Sequence, residues 1–177
     1  TVSGFAMTVG RKNGTDGGIQ TAIDAMSSAR TPHRFLGIDQ GGFTSLVRTK
    51  VNPEGHVVLR GGRARANYDP ISIAEACAQL AKHNLPNVLM VDCSHANSNK
   101  DYRLQSVAWN DCVAQRVAGN QNIIGLMLES NLNPGNQPLP NDLSQLQYGV
   151  SITDGCIGWD ETECLVLSAH EQLGGNA

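Results

Sequence analysis

The sequence predicts an α/β fold in which parallel strands are covered by helices. Two apolar runs, Val88 to Val91 and Ile123 to Leu128, carry no polar alternation, which marks strands buried on both faces. Segments with helical spacing follow them. Polar, titratable residues then gather where each run ends, as at Asp92-Cys93-Ser94-His95 and Glu129-Ser130. Barrels and open α/β sheets place their chemistry at those carboxyl ends.

The elements follow in order. Phe5 to Val9 predicts a strand, Gly10 to Gly18 a glycine-rich loop, and Ile19, Ala22, Ile23, Ala25 and Met26 a helix capped by Thr15 or Asp16. The glycines lack the spacing of a nucleotide-binding phosphate loop. Arg34 to Ile38 and Thr44 to Arg48, flanking Asp39-Gln40-Gly41-Gly42, predict a hairpin over about 34–48. A hairpin interrupts βα alternation, so it reads as an insertion. His56 to Leu59 predicts the next strand and Ser72 to His83 the next helix, entered through Asp69-Pro70. After the Val88 strand comes a helix over about 103–117, with Val107, Val113 and Val117 on its buried side. The Ile123 strand, a polar surface loop over 131–147 and a final helix over about 160–173 complete the chain.

With 177 residues, the chain is long enough for one domain with a core. Aromatics are 5% of residues and glycines number 19, so the core is aliphatic and the loops are many. A formal net charge of -3, with no basic stripe, argues against nucleic acid as a partner. No apolar run approaches the roughly 20 residues of a membrane span, and the opening residues lack a signal-peptide pattern. The five cysteines, Cys77, Cys93, Cys112, Cys156 and Cys164, have no CxxC spacing and read as reduced thiols in a cytoplasmic protein.

Chemistry concentrates at the strand ends. Lys12, Arg60, His95 and Glu129 stand at or just past the ends of four strands, and Asp154 lies in a following loop. Singly, each has a plain reading: a solvated lysine, an arginine on a turn, a capped loop histidine. Together, parallel strands bring them to one face. His95, Glu129 and Asp154 offer an imidazole and two carboxylates, a set suited to manganese, iron, cobalt or zinc. Lys12 and Arg60 offer two cations for a carboxylate or a phosphate. A cation site beside them suits an anionic substrate with a carbonyl to polarise.

The same residues carry a family resemblance. Gly10-Arg11-Lys12-Asn13-Gly14-Thr15-Asp16-Gly17, Leu59-Arg60-Gly61-Gly62, Asp92 to Lys100 (DCSHANSNK), Gly125 to Ser130 (GLMLES), Gly135-Asn136-Gln137 and Tyr148 to Trp159 (YGVSITDGCIGW) resemble class I, microbial-type 3-deoxy-D-arabino-heptulosonate 7-phosphate (DAHP) synthase. The match is collinear over essentially the whole chain. It implies metal-dependent condensation of phosphoenolpyruvate with erythrose 4-phosphate, the first step of the shikimate route to aromatic amino acids. By that resemblance Lys12 and Arg60 bind phosphoenolpyruvate, while His95, Glu129 and Asp154 ligate the metal. Asp154 also approaches the reacting aldehyde, so Lys12, Arg60, His95 and Asp154 form the expected catalytic set.

The family fold is a (β/α)₈ barrel about twice this length. The resemblance therefore implies the C-terminal half, about strands 5 to 8, as one partial-barrel domain over 1–177 with the inserted hairpin. The family's first half supplies a cysteine ligand in Gly-Pro-Cys, a Lys-Pro-Arg-Thr segment for erythrose 4-phosphate and a Gly-Ala-Arg-Thr segment for phosphoenolpyruvate. None of these occurs here. The expectation is a fragment inactive alone, completed by the missing half or by self-association as a homo-oligomer. Arg11 stands where an aromatic residue is usual and Gln40 where a lysine is common. Feedback inhibition by an aromatic amino acid is a family property, and Ala6 and Gly37, where serines mark the phenylalanine type, point to tyrosine, tryptophan or no regulation. Two other readings compete: a non-catalytic half-barrel that pairs with or regulates a full-length synthase, and an unrelated metallohydrolase.

Overall fold

A computed structural model describes residues 8–174. Four strands, β1 (Val9–Lys12), β4 (Gly55–Leu59), β5 (Leu89–Asp92) and β6 (Ile123–Met127), form a parallel sheet in the order β1-β4-β5-β6. Spatial neighbours follow chain order, with β2 (Arg34–Ile38) and β3 (Thr44–Arg48) set aside as a separate antiparallel hairpin. Each parallel pair requires a crossover, and helices supply it. The α/β fold with a parallel sheet agrees with the sequence.

One face of the sheet packs on helices. Val57 and Leu59 of β4, Leu89 and Val91 of β5 and Ile123 of β6 join Ile23 and Met26 of α1 (Gln20–Ala29) and Ile73, Ala76 and Leu80 of α2 (Pro70–Lys82) in one aliphatic core. The low aromatic content thus meets its counterpart in a core of branched aliphatics. The opposite face runs in register through Lys12, Val58, Met90 and Gly125. A Cβ on Gly125 would lie 2.8 Å from the Met90 methyl, so glycine makes room for that side chain. α3 (Gln105–Val117) and α4 (Trp159–Gln172) pack together, and the Trp109 indole N–H donates to the Leu165 carbonyl at 3.2 Å.

Several boundaries differ from the sequence reading. β1 runs through Gly10 and Arg11 to Lys12, where the glycine had suggested a loop. Phe5, Ala6 and Met7, on which the start of that strand was placed, lie outside the described residues. Neither Thr15 nor Asp16 caps α1: Ile19 holds the cap position, and Asp16 instead accepts from the Gly18 N–H at 3.0 Å. α2 begins at Pro70, two residues early, because Asp69 accepts from the Ile71 and Ser72 amides and proline fits the first helical turn. A 3₁₀ turn over Tyr102–Leu104 precedes α3. On α3, Val107 and Val117 are exposed, while Gln105, Ala108, Cys112, Val113 and Gln115 are buried. Positions 107 and 113 are six apart and cannot share a helix face, so valine content misled where spacing would not. Cys77, Cys93, Cys112 and Cys156 are buried free thiols, and Cys164 is exposed. Among the described residues no helix is long and apolar enough to cross a membrane.

Candidate metal and anion site

The site is built on the turn after β5. Asp92 ends the strand, Ser94 follows, and His95 opens a 3₁₀ turn over His95–Ser98. His95 sits at φ +57°, in the left-handed region that a non-glycine side chain seldom occupies. Such strain costs on the order of 1–3 kcal/mol and clusters at sites where geometry matters to function. It turns the imidazole toward Glu129, two residues beyond β6.

His95 Nε2 lies 3.6 Å from Glu129 Oε1. Suitable atoms of His95, Glu129 and Asp154 all lie within 4.8 Å of one another. These three residues line a cavity of about 630 Å³ with Ser94, Lys100 and Tyr102. The His95 Nδ1 atom is buried and 3.1 Å from Asp92 Oδ2, close enough for an ion pair but not aligned for a hydrogen bond. A proton on Nδ1 leaves the Nε2 lone pair facing a carboxylate. In that tautomer a cation between the two lone pairs would satisfy both, and the donor set fits a divalent ion.

The two candidate carboxylate ligands are held from behind. Ser94 Oγ donates to Glu129 Oε2 at 2.9 Å. Gln105, fully buried at the start of α3, donates from Nε2 to the Glu129 carbonyl at 3.0 Å and accepts the Glu129 N–H at 2.8 Å. Asp154 is exposed, on a loop pinned by Asn136, whose amide donates to the Thr153 carbonyl at 2.9 Å. Gln137 holds the same loop through the Gln147 and Val150 carbonyls, at 2.8 and 2.9 Å. Gly135-Asn136-Gln137 therefore acts as a clamp on the Asp154 loop.

The cations stand on neighbouring strands. Lys12 Nζ is 2.7 Å from Asp92 Oδ2, and the Asp92 side chain is almost wholly buried. The Arg60 side chain is half-buried and has no hydrogen-bond or ion-pair partner among the described residues, which leaves its fork free for an anion. Its backbone is fixed by three buried asparagines. Asn13 Oδ1 accepts the Arg60 N–H at 2.7 Å, and its Nδ2 donates to the Gly61 carbonyl at 2.9 Å. Asn67 Oδ1 accepts the Gly61 N–H at 2.7 Å, and Asn97 Oδ1 accepts the Asn67 N–H at 2.8 Å. Lys12 and Arg60 do not line the cavity that holds His95, Glu129 and Asp154. Lys12 instead joins that cluster through Asp92.

Sequence reading gave roles to Lys12, Arg60, His95, Glu129 and Asp154; it marked Asp92, Ser94, Asn13 and Asn97 only as members of motifs and gave no role to them, to Asn67 or to Gln105. Gln105 left a trace: it lies on the stripe 105-108-112 that faces the core, where a long amide must find partners.

Comparison with known proteins then places the chain. The family model described as "DAHP synthetase I family" matches residues 1–166. The chain belongs to the DAHP synthetase I family. It is 51% identical over 173 residues to the Tyr-sensitive phospho-2-dehydro-3-deoxyheptonate aldolase of Escherichia coli (strain K12), covering 98% of this chain and 48% of that protein. It is 48% identical over 174 residues to a putative phospho-2-dehydro-3-deoxyheptonate aldolase of Schizosaccharomyces pombe, covering 97% of this chain and 46% of that protein. The solved phospho-2-dehydro-3-deoxyheptonate aldolase of Francisella tularensis SCHU S4 superposes with a TM-score of 0.89 at 38% identity, covering 97% of this chain and 50% of that one. The chain thus spans about half the length of these relatives.

Proposed function

We propose that this chain is the part of a DAHP synthase that carries the metal ligands His95, Glu129 and Asp154 and the phosphoenolpyruvate-binding cations Lys12 and Arg60. The observation that carries the reading is the convergence of one imidazole, on a strained turn, and two carboxylates from other loops within 4.8 Å of one another. The reaction is the condensation of phosphoenolpyruvate with erythrose 4-phosphate. Manganese, iron, cobalt or zinc suits the donor set. A divalent cation bound there supplies Lewis-acid polarisation of a carbonyl oxygen.

The chain's own groups do the rest. Lys12 and Arg60 neutralise the carboxylate and phosphate of phosphoenolpyruvate and fix its plane. The methylene carbon of phosphoenolpyruvate bonds to the aldehyde carbon of erythrose 4-phosphate, water adds at the enol carbon, and inorganic phosphate leaves. Asp154, exposed at the cavity mouth, stands at the aldehyde end, where a proton must reach the new alkoxide.

We further propose that β1, β4, β5 and β6 are about strands 5 to 8 of a (β/α)₈ barrel, supported by their consecutive parallel order and by the half-length coverage of relatives. On this reading turnover needs the groups that the family's other half brings, and the chain alone is inactive. The hairpin's outward side chains Leu36, Ile38 and Leu46 are exposed, which supports self-association through that face. Feedback inhibition by an aromatic amino acid is part of the same reading, since the E. coli relative is named Tyr-sensitive. The half-length match also favours a second reading, a non-catalytic half-barrel that pairs with a full-length synthase.

The test is phosphoenolpyruvate consumption with added Mn²⁺ and erythrose 4-phosphate. It is run on the chain alone, with a co-expressed N-terminal half, and with a full-length synthase. Turnover restored by the N-terminal half supports the synthase reading. Altered turnover of the full-length enzyme only supports the second reading. Full turnover by the chain alone contradicts the half-barrel account.

A further inference from the structure

We propose that Asp92 is a positioning residue whose single oxygen is divided between Lys12 and His95, so that Lys12 sets how strongly His95 binds a cation. The inference rests on the metal reading above and adds a role for two residues that are not ligands. Asp92 Oδ2 is 2.7 Å from Lys12 Nζ and 3.1 Å from His95 Nδ1. The carboxylate cannot turn to prefer either partner. Its Oδ1 accepts the Ser94 N–H at 3.0 Å, and its own carbonyl accepts from the Asn97 amide at 2.8 Å. The side chain is almost fully buried, so water does not dilute its charge.

A carboxylate charge beside a metal-binding imidazole favours the proton on the far nitrogen and makes the near one a better ligand; here it acts through the 3.1 Å ion-pair contact, which is not aligned as a hydrogen bond. Here that carboxylate also serves a lysine ammonium on β1, across β4 from its own strand. Charge drawn toward Lys12 is charge withheld from His95. An anion that pulls Lys12 off Asp92 returns the full carboxylate to His95, and Nε2 becomes the stronger ligand. Anion and cation sites are then linked through one atom, with the reciprocity that linkage demands.

The probe is Mn²⁺ alone, read as the loss of the free-ion electron paramagnetic resonance signal on the 177-residue chain. Asp92→Asn, close to isosteric, is expected to weaken Mn²⁺ binding by roughly 10- to 100-fold. Lys12→Met is expected to tighten it by about threefold or more, although Lys12 is no ligand. Arg63→Met, an exposed cation of the loop after β4, is the control for general charge removal and should shift it by less than about twofold. Far-ultraviolet circular dichroism checks folding. If Asp92→Asn fails to fold, the Lys12 and Arg63 pair decides alone, since the Lys12 side chain is more than a third exposed. Equal shifts in Lys12→Met and Arg63→Met, or tight Mn²⁺ binding by folded Asp92→Asn, overturn the division of Asp92. Absence of Mn²⁺ binding by the unaltered chain overturns the metal reading itself and this inference with it.

Discussion

The Gln105 side chain completes the peptide of Glu129 as a neighbouring strand would. Its amide N–H meets the Glu129 carbonyl at 3.0 Å and its amide oxygen meets the Glu129 N–H at 2.8 Å. The sheet has ended by Glu129; its carbonyl also accepts the Ile157 N–H at 3.0 Å, so without Gln105 it is the Glu129 N–H that would go unpaired beside the site. Gln105→Leu should destabilise the chain by about 1–3 kcal/mol, because the Glu129 N–H is left unmet while its carbonyl keeps the Ile157 N–H. It should also weaken Mn²⁺ binding about tenfold by loosening Glu129. Urea unfolding and Mn²⁺ titration on the same variant measure both effects. A variant that loses stability with full Mn²⁺ affinity would mean that Gln105 supports the fold alone.

The Arg60 turn is fitted too tightly for any side chain at Gly61. This residue sits at φ +77°, and a Cβ there would lie 2.7 Å from both the Ala96 methyl and the Asn97 nitrogen. Neither neighbour is the tip of a flexible chain. Gly61→Ala should cost about 2 kcal/mol or more in urea unfolding, since both conformation and space oppose it.

Asn13 holds the same turn through hydrogen bonds. Replacing it by alanine unpairs the Arg60 N–H and the Gly61 carbonyl in a buried setting. The expected cost is about 2–3 kcal/mol. Phosphoenolpyruvate affinity, measured calorimetrically with the family's N-terminal half present, should fall by about tenfold as the guanidinium loses its aim. Unchanged affinity would detach the asparagine network from anion binding.

The pH dependence follows from His56. Burial holds this imidazole below its ordinary value of 6.5, and its Nδ1 has no hydrogen-bond partner among the described residues. Between 6.5 and that lower value the unfolded chain binds a proton that the folded chain does not, so stability falls as pH drops through this window. Below the folded value this residue takes no more. His56→Gln should flatten the fall in urea midpoint between about pH 7 and pH 5. An identical slope in the variant would assign the window to other groups.

Much of the architecture was legible in the residues. Val57 to Leu59 and Leu89 to Val91 are unalternating because helices cover one face and packed side chains fill the other. Repeated charge at strand ends singled out His95 and Glu129, with Asp154 in a following loop, and the structure brings the three within 4.8 Å of one another, because parallel strands align their ends. What could not be read was which groups stand behind them. Gln105 and Glu129 are 24 positions apart, and only the packing of α3 on β6 brings them together. Lys12 and Asp92 are 80 apart on non-adjacent strands. Val107 and Val117 were misplaced because hydrophobicity was weighed above spacing. The α1 cap was misjudged because an aspartate before a helix can equally close its own turn, as Asp16 does with Gly18.

The central claim is that His95, Glu129 and Asp154 converge to bind one divalent cation. The most direct measurement is Mn²⁺ stoichiometry and affinity, by electron paramagnetic resonance, for the chain and for His95→Asn, Glu129→Gln and Asp154→Asn. Asparagine suits position 95 because it tolerates the left-handed backbone. The account predicts one Mn²⁺ per chain, weakened by about tenfold or more in each variant while the fold is retained. Mn²⁺ binding that is absent from the chain, or unmoved by all three substitutions, would contradict it.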